Sequence, residues 1–313
     1  MFKLPAVYLI VALCTIFATP AQAGQRAFVA SYGSDTNSCG PVTPCRTFAK
    51  AVTVVDPNGE VVALDSSGFG SVTLTQSVSL TAAPGAYVGI SVFPGTNGVT
   101  IATPGVNVVL RGLIINSQGG DAGILMIAGA KLSIENCVIS NFSIIGSSSN
   151  QLGVLVETAA TIRMVNTLIR DNDIGIQLQE GATADISESK FLGNSTAGIF
   201  AFNETAGTTT TAAISNTVVV GSGIGIYARA ITPTGSSKID ISRSIVSNSG
   251  VGITAESPAS VGAASVSIRK SMVTGSSNFG LWNIDGTLIS YGNNTLSNNA
   301  LNVVGTLTTV APL

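Results

Sequence analysis

The chain has 313 residues, with 14 Lys and Arg against 16 Asp and Glu, a formal net charge of −2, and no histidine. Charged residues make up 10% of it and hydrophobic residues 45%, so Ser, Thr, Asn and Gly fill most polar positions. The lack of any basic tract argues against nucleic acid and anionic membrane as partners, and the lack of histidine removes the commonest general base and metal ligand.

Residues 1–23 read as an export leader. Lys3 supplies a basic start, Ala6 to Ala18 is almost wholly apolar, and Ala21-Gln22-Ala23 offers small residues at both cleavage-site positions. The apolar run, which contains Cys14, is short of the roughly 20 residues a membrane-spanning helix needs. The expected mature chain starts near Gly24, without membrane insertion, and is secreted or periplasmic.

Residues 24–58 are expected to form a cap that opens with a short strand over Arg26 to Ser31. Cys39 and Cys45 bracket a turn-rich Gly40-Pro41-Val42-Thr43-Pro44 segment, and in an exported chain this predicts a disulfide. Phe48, Ala51, Val52 and Val55 then recur at helical spacing, with Thr43 and Pro44 placed to start the helix. Together with Phe28 they are expected to form a cap core over the open end of whatever follows.

Residues 59–313 read as β throughout. Short strands at Val61–Leu64, Val72–Leu74, Val78–Leu80 and Val99–Ile101 give way to a repeat. Gly followed by an apolar residue occurs at Gly123, Gly153, Gly175, Gly198, Gly225, Gly252 and Gly280. Runs such as Ile134-Cys137-Ile139, Met164-Thr167-Ile169 and Ile186-Ser189-Phe191 precede these segments, and their first residues are 22 to 30 apart. That period predicts a solenoid with three short strands per coil, eight recurrent coils from Leu110 to Tyr291 and two looser ones before them. Period-2 alternation turns Leu132/Ile134, Ile162/Met164 and Ile239/Ile241 inward, and likewise Ile124/Met126 and Ile176/Leu178 on the Gly-led strand. The glycines mark a bend that needs positive φ or close backbone approach. Cys137 falls in the column held elsewhere by Thr167, Ser189, Thr217, Ser244 and Ser271, which makes it a small core stacker.

This pattern resembles the right-handed parallel β-helix of the pectin-lyase-like superfamily. The stretches Gly33-Ser34-Asp35-Thr36-Asn37-Ser38-Cys39, Pro44-Cys45-Arg46-Thr47-Phe48 and Ser290-Tyr291-Gly292-Asn293-Asn294 are similar to a group of exported bacterial β-helix proteins of unassigned activity. The resemblance implies an all-β fold and export, and carries no catalytic residues with it.

Three readings of function follow. Asp121-Ala122-Gly123-Ile124 with Leu132-Ser133-Ile134-Glu135-Asn136-Cys137 resembles the layout of a calcium-binding stretch in pectate lyases, with Glu135-Asn136 replacing an Asp-His pair. Asp121 and Glu135 would then share Ca2+, the one cofactor considered, and Arg163 or Arg170 would act on a sugar proton. The hydrolase counterpart is Asp171/Asp173, the only close acidic pair besides Asp185/Glu188, although Asx residues before Gly175 are expected for turn chemistry.

The favoured reading is non-catalytic. In the Gly-led strands the residue two after Gly points outward, giving Leu125, Leu155, Gln177, Phe200, Tyr227, Thr254 and Trp282. Two residues further on come Ile127, Glu157, Gln179, Phe202, Arg229, Glu256 and Ile284. Aromatics are only 5% of the chain, so Phe200, Phe202, Tyr227 and the sole Trp on one face predict binding of polysaccharide or a cell-surface glycan, helped by Gln177. Loops over Asn203–Thr211, Ala230–Ser237 and Ser257–Ala264 are long enough to cover this column, and self-association would use such a patch equally well. A structural or adhesive surface protein is the third reading.

Overall fold

The computed structural model describes residues 25–143, 151–258 and 261–311. The expected leader over residues 1–23 lies outside the described residues. Among those described, three parallel sheets run the length of the molecule, one of twelve strands and two of ten. Each coil donates one strand to each sheet, as in Thr161–Val165, Leu168–Arg170 and Ile174–Leu178. These sheets are called here the long sheet, the short-strand sheet and the Gly-led sheet. Ten such coils stack in unbroken register, which matches the expected eight recurrent and two looser coils.

The core is the space enclosed by the sheets. Leu132, Ile134, Ile162 and Met164 of the long sheet are buried, as are Ile139 and Ile169 of the short-strand sheet and Ile124, Val154 and Ile176 of the Gly-led sheet. Like residues stack on like because each parallel strand lies about 4.8 Å from its neighbour. Strand pairing satisfies the backbone between coils, leaving only the corners to be resolved.

The corner between long and short-strand sheets is made by one residue in left-handed conformation. Asn136, Asn166, Glu188, Asn216, Arg243 and Lys270 all have φ between 46° and 54°. Asn tolerates this region best. Just beyond several of these corners, a buried hydroxyl takes a backbone proton from the preceding coil. Thr167 N donates to Ser189 Oγ at 3.2 Å, Thr217 N to Ser244 Oγ at 3.2 Å, and Ser244 N to Ser271 Oγ at 3.1 Å. Cys137 belongs to this column, is buried, and has its thiol pushed up to about 11 by burial. Asn141, Asn248 and Asn298 also have left-handed φ. Asn194 instead lies buried in a polar ladder, its Oδ1 accepting from Asn172 Nδ2 at 2.9 Å.

At the N-terminus, Arg26–Val29 pairs with Glu60–Ala63 and so extends the long sheet. Cys39 and Cys45 form the expected disulfide. The helix differs from expectation: it spans only Phe48–Ala51, and its N-cap is Thr47 rather than Thr43 or Pro44. The reason lies in Asp35, whose carboxylate accepts from Arg46 N at 2.8 Å, Thr47 N at 3.0 Å and Thr47 Oγ1 at 2.9 Å. Burial works to raise the Asp35 pKa, but these hydrogen bonds and the Arg46 charge prevail and hold it below its ordinary value. Phe48 is fully buried against Phe69, with ring centroids 5.5 Å apart, whereas Phe28 is only half-buried and stays outside the cap core. No described helix is long and apolar enough to cross a membrane.

Candidate functional site

The outer face of the Gly-led sheet is shaped by its glycines. A Cβ on Gly123, Gly153 or Gly198 would lie 2.6 Å from the carbonyl oxygen of the glycine in the next coil, and on Gly175 only 2.4 Å. None of the seven repeat glycines has positive φ, so close approach, and not an unusual backbone angle, demands them. The residue before the glycine is excluded from the main core. Leu152, Ile174 and Ala197 instead form a separate buried cluster against Leu155 and Phe200. This apolar floor escaped the period-2 reading because the bend breaks the alternation; its only sequence signal is an apolar residue directly before Gly.

Phe200 of the aromatic column stands on that floor. The register pairs Leu125 with Leu155, then Gln177, Phe200, Tyr227, Thr254 and Trp282 in turn, as the sequence spacing predicts. Phe200 and Tyr227 stack at 4.6 Å between centroids with 10° between their planes. Phe202 stacks on Phe200 at 5.3 Å, and the Arg229 guanidinium lies 5.9 Å from the Phe202 ring. Trp282 leans on Phe279, the residue before Gly280, at 5.2 Å. Arg229 Nε approaches Glu256 Oε2 at 3.3 Å, and the Tyr227 hydroxyl donates to the same carboxylate. Burial nevertheless pushes the Glu256 carboxyl above its ordinary range.

The four aromatic side chains and Gln177 are half-buried, neither sealed nor fully exposed. The loops expected to cover them are shorter than predicted. Thr209–Ser215, Ser236–Ser242 and Ala263–Arg269 are seven-residue strands that claim the ends of those segments. Within the column, Thr254 is only 1% exposed, and its Oγ1 has no hydrogen-bond partner. A buried hydroxyl without a partner costs about 1–3 kcal/mol, so its place between Tyr227 and Trp282 calls for a reason.

The lyase residues are dispersed. Glu135 and Arg163 meet on the long sheet, with Arg163 Nη1 at 2.9 Å from Oε1. Arg111, which the sequence did not single out, holds Oε2 at 3.0 Å, and Ser133 Oγ donates to Oε1 at 2.8 Å. Burial acts to raise the Glu135 pKa, but these hydrogen bonds and two positive charges keep it below the usual range. A carboxylate with both oxygens committed to cations and a hydroxyl does not fit calcium, which takes 6–8 oxygen ligands. Asp121 is an exposed turn residue leading into the Gly-led sheet, and Arg170 lies on the short-strand sheet paired with Asp171. Among the described residues no three His, Cys, Asp or Glu side chains gather as a metal site.

The acidic hydrolase pair performs turn chemistry. Asp173 accepts from Ser143 Oγ at 2.8 Å, Gln151 N at 3.0 Å and Ser195 Oγ at 3.0 Å, while Asp171 has left-handed φ.

Three parallel sheets wound around one core define the class of the protein, a parallel β-helix. Residues 97–301 match the family described as right handed beta helix region, and the chain belongs to that family. No curated protein matches the sequence. Among solved structures, the chain is similar to the pectate lyase Pel9A, with 13% identity and a TM-score of 0.63 over 90% of this chain and 79% of that one. It is also similar to XylC in complex with xylose, at 9% identity and a TM-score of 0.58 over 88% and 70% of the two chains. Tailspike protein 2 from Escherichia coli O157:H7 bacteriophage CAB120 shares 11% identity, with a TM-score of 0.53 over 84% of this chain and 39% of the tailspike. At these identities the likeness is one of fold.

Proposed function

We propose that this protein is an exported polysaccharide-binding β-helix that grips its ligand on the outer face of the Gly-led sheet and performs no catalysis there. The observation that carries this reading is the stack of Phe202, Phe200 and Tyr227, continued in register through Thr254 to Trp282. The stack offers a sugar its outermost ring faces and its apolar edges, and Gln177, Arg229 and Glu256 stand beside it to exchange hydrogen bonds with hydroxyls. The disulfide supports an oxidising compartment outside the cytoplasm, in keeping with the leader read from residues 1–23. Structures of the same fold include a pectate lyase and a protein holding xylose, which makes a sugar polymer a natural ligand class.

A lyase role is set aside because Glu135 is bound into an ion-pair ladder with Arg111 and Arg163, while Asp121 and Arg170 lie elsewhere on the coil. The decisive experiment is binding to a glycan array by the intact protein and by a Tyr227→Ala, Trp282→Ala double variant. The expected result is retention by the intact protein, roughly tenfold weakened in the variant, about 1.4 kcal/mol, with an unchanged circular dichroism spectrum. An array without any bound glycan overturns the proposal, and so does ultraviolet-absorbing unsaturated product from uronic-acid polymers.

A further inference from the structure

The face that carries the aromatic column continues beyond it toward the N-terminus. Thr73 pairs with Thr100, and Thr100 with Leu125, so both threonines stand in the same outward column as Phe200, Tyr227 and Trp282. At that end the surface is concave. A cleft of about 740 Å³ opens between the capping-helix segment, at Ala49 and Val52, and the first strands of the sheet, at Ser71, Thr73, Thr75 and Thr100. Its wall is fixed, because Gln76 Nε2 donates to Val52 O at 3.2 Å and Val55 O at 2.7 Å.

The chemistry of this cleft is specific. No ionisable side chain lines it. The hydroxyls of Ser71, Thr73, Thr75 and Thr100 line the cleft and make no hydrogen bond to other described residues. Each threonine also presents a methyl group. The cleft therefore offers both hydrogen bonding and a small apolar contact, the combination a sugar edge requires.

Between the cleft and the aromatics the charge is negative. Glu157 follows the buried Val156 at the end of its strand, and burial and the nearby charges of Glu180 and Glu204 push its carboxyl above the ordinary range. Arg229, the cation of this face, is engaged by Glu256. A polymer carrying a carboxylate on every sugar would meet like charge at Glu157, Glu180 and Glu204 along this path.

We infer that the cleft beside the capping helix is a second glycan subsite, and that the ligand is an uncharged linear polysaccharide laid along the sheet from Thr73 to Trp282. This rests on the glycan reading of the aromatic column. The two ends are eight coil steps apart, about 38 Å at 4.8 Å per strand. Only an oligomer reaches both, and linking the two contacts raises affinity without any new kind of interaction.

The test is calorimetric titration with defined xylo- and cello-oligosaccharides from disaccharide to decasaccharide, and with oligogalacturonates of the same lengths. Short uncharged oligomers report on the aromatic column alone. Affinity for the longest uncharged oligomers is expected to exceed that of the short ones by roughly tenfold or more. Thr100→Arg, which projects into the cleft from an outward position, is expected to abolish that gain, and Thr73→Arg to do the same independently. Oligogalacturonates are expected to bind at least tenfold more weakly at low salt. Equal affinity for short and long oligomers, a gain that survives both substitutions, or oligogalacturonate binding as tight as the uncharged series overturns the inference while leaving the aromatic site standing. Failure of every oligomer to bind overturns the aromatic reading as well.

Discussion

At the scale of single residues, the repeat glycines are the most constrained positions of the molecule. An added methyl at Gly153 would lie 2.6 Å from Gly175 O and 3.1 Å from Ile169 Cγ2. The first contact is with backbone, which cannot rotate away. Gly153→Ala is therefore expected to destabilise the fold by about 1–3 kcal/mol, the range for overpacking, seen as a lower thermal midpoint. Glu135 presents a second residue-level test. Its folded pKa is depressed, so its contribution is present above the ordinary carboxylate range and is lost as pH falls through the folded value. Glu135→Gln should lower the denaturation midpoint at neutral pH, by less than about 1 kcal/mol since the arginines are largely exposed. At acid pH the two proteins should converge; a constant difference across pH would show that packing, not charge, accounts for the effect. The Arg111–Glu135–Arg163 ladder was not legible in the sequence, because Arg111 lies one coil earlier and only the register brings it opposite Glu135.

At the scale of elements, the cap shows how a short helix is stabilised by its surroundings. Four residues are too few to hold a helix by themselves. Thr47 caps it, Asp35 fixes the preceding backbone, and Phe48 and Ala51 are buried beneath. The disulfide, between cysteines six residues apart, closes the loop that lies between Asp35 and its partners Arg46 and Thr47. Replacing both cysteines by serine should cost about 2 kcal/mol on the chain-entropy account, and limited proteolysis should then cut first within the cap segment. Cysteine spacing made the disulfide readable. The helix start was misplaced because the Asp35 contacts join residues 11 and 12 apart, beyond any local capping signal.

At the scale of the whole molecule, stability is distributed along one axis, since each coil touches only its neighbours. The two ends are unequal. The N-terminal coil is covered by the cap, whereas Leu301–Val304 and Leu307–Val310 end their sheets with Leu301 and Val310 exposed. Edge strands paired on one side open most readily. Amide hydrogen exchange should be fastest over residues 301–310 and slowest in the central coils near Ile162 to Ile199. Uniform protection along the axis would contradict this picture. The same linear architecture makes an extended ligand surface available, because one outward position per coil repeats down an entire face.

The sequence by itself determined the coil period, the inward residues, the small-residue ladder and the order of the aromatic column. All of these depend on the local alternation of strands and on repetition, which a linear chain displays directly. Only the tertiary structure decided what stands beside what across coils and corners. It scattered Asp121, Glu135 and Arg170 over different parts of the coil and placed Arg111 against Glu135. It set an apolar floor under Leu155 and Phe200 and joined the aromatic face to the threonine cleft beside the cap. The physical reason is that coil lengths vary, so sequence separation does not measure distance, while hydrogen-bonded register between parallel strands does.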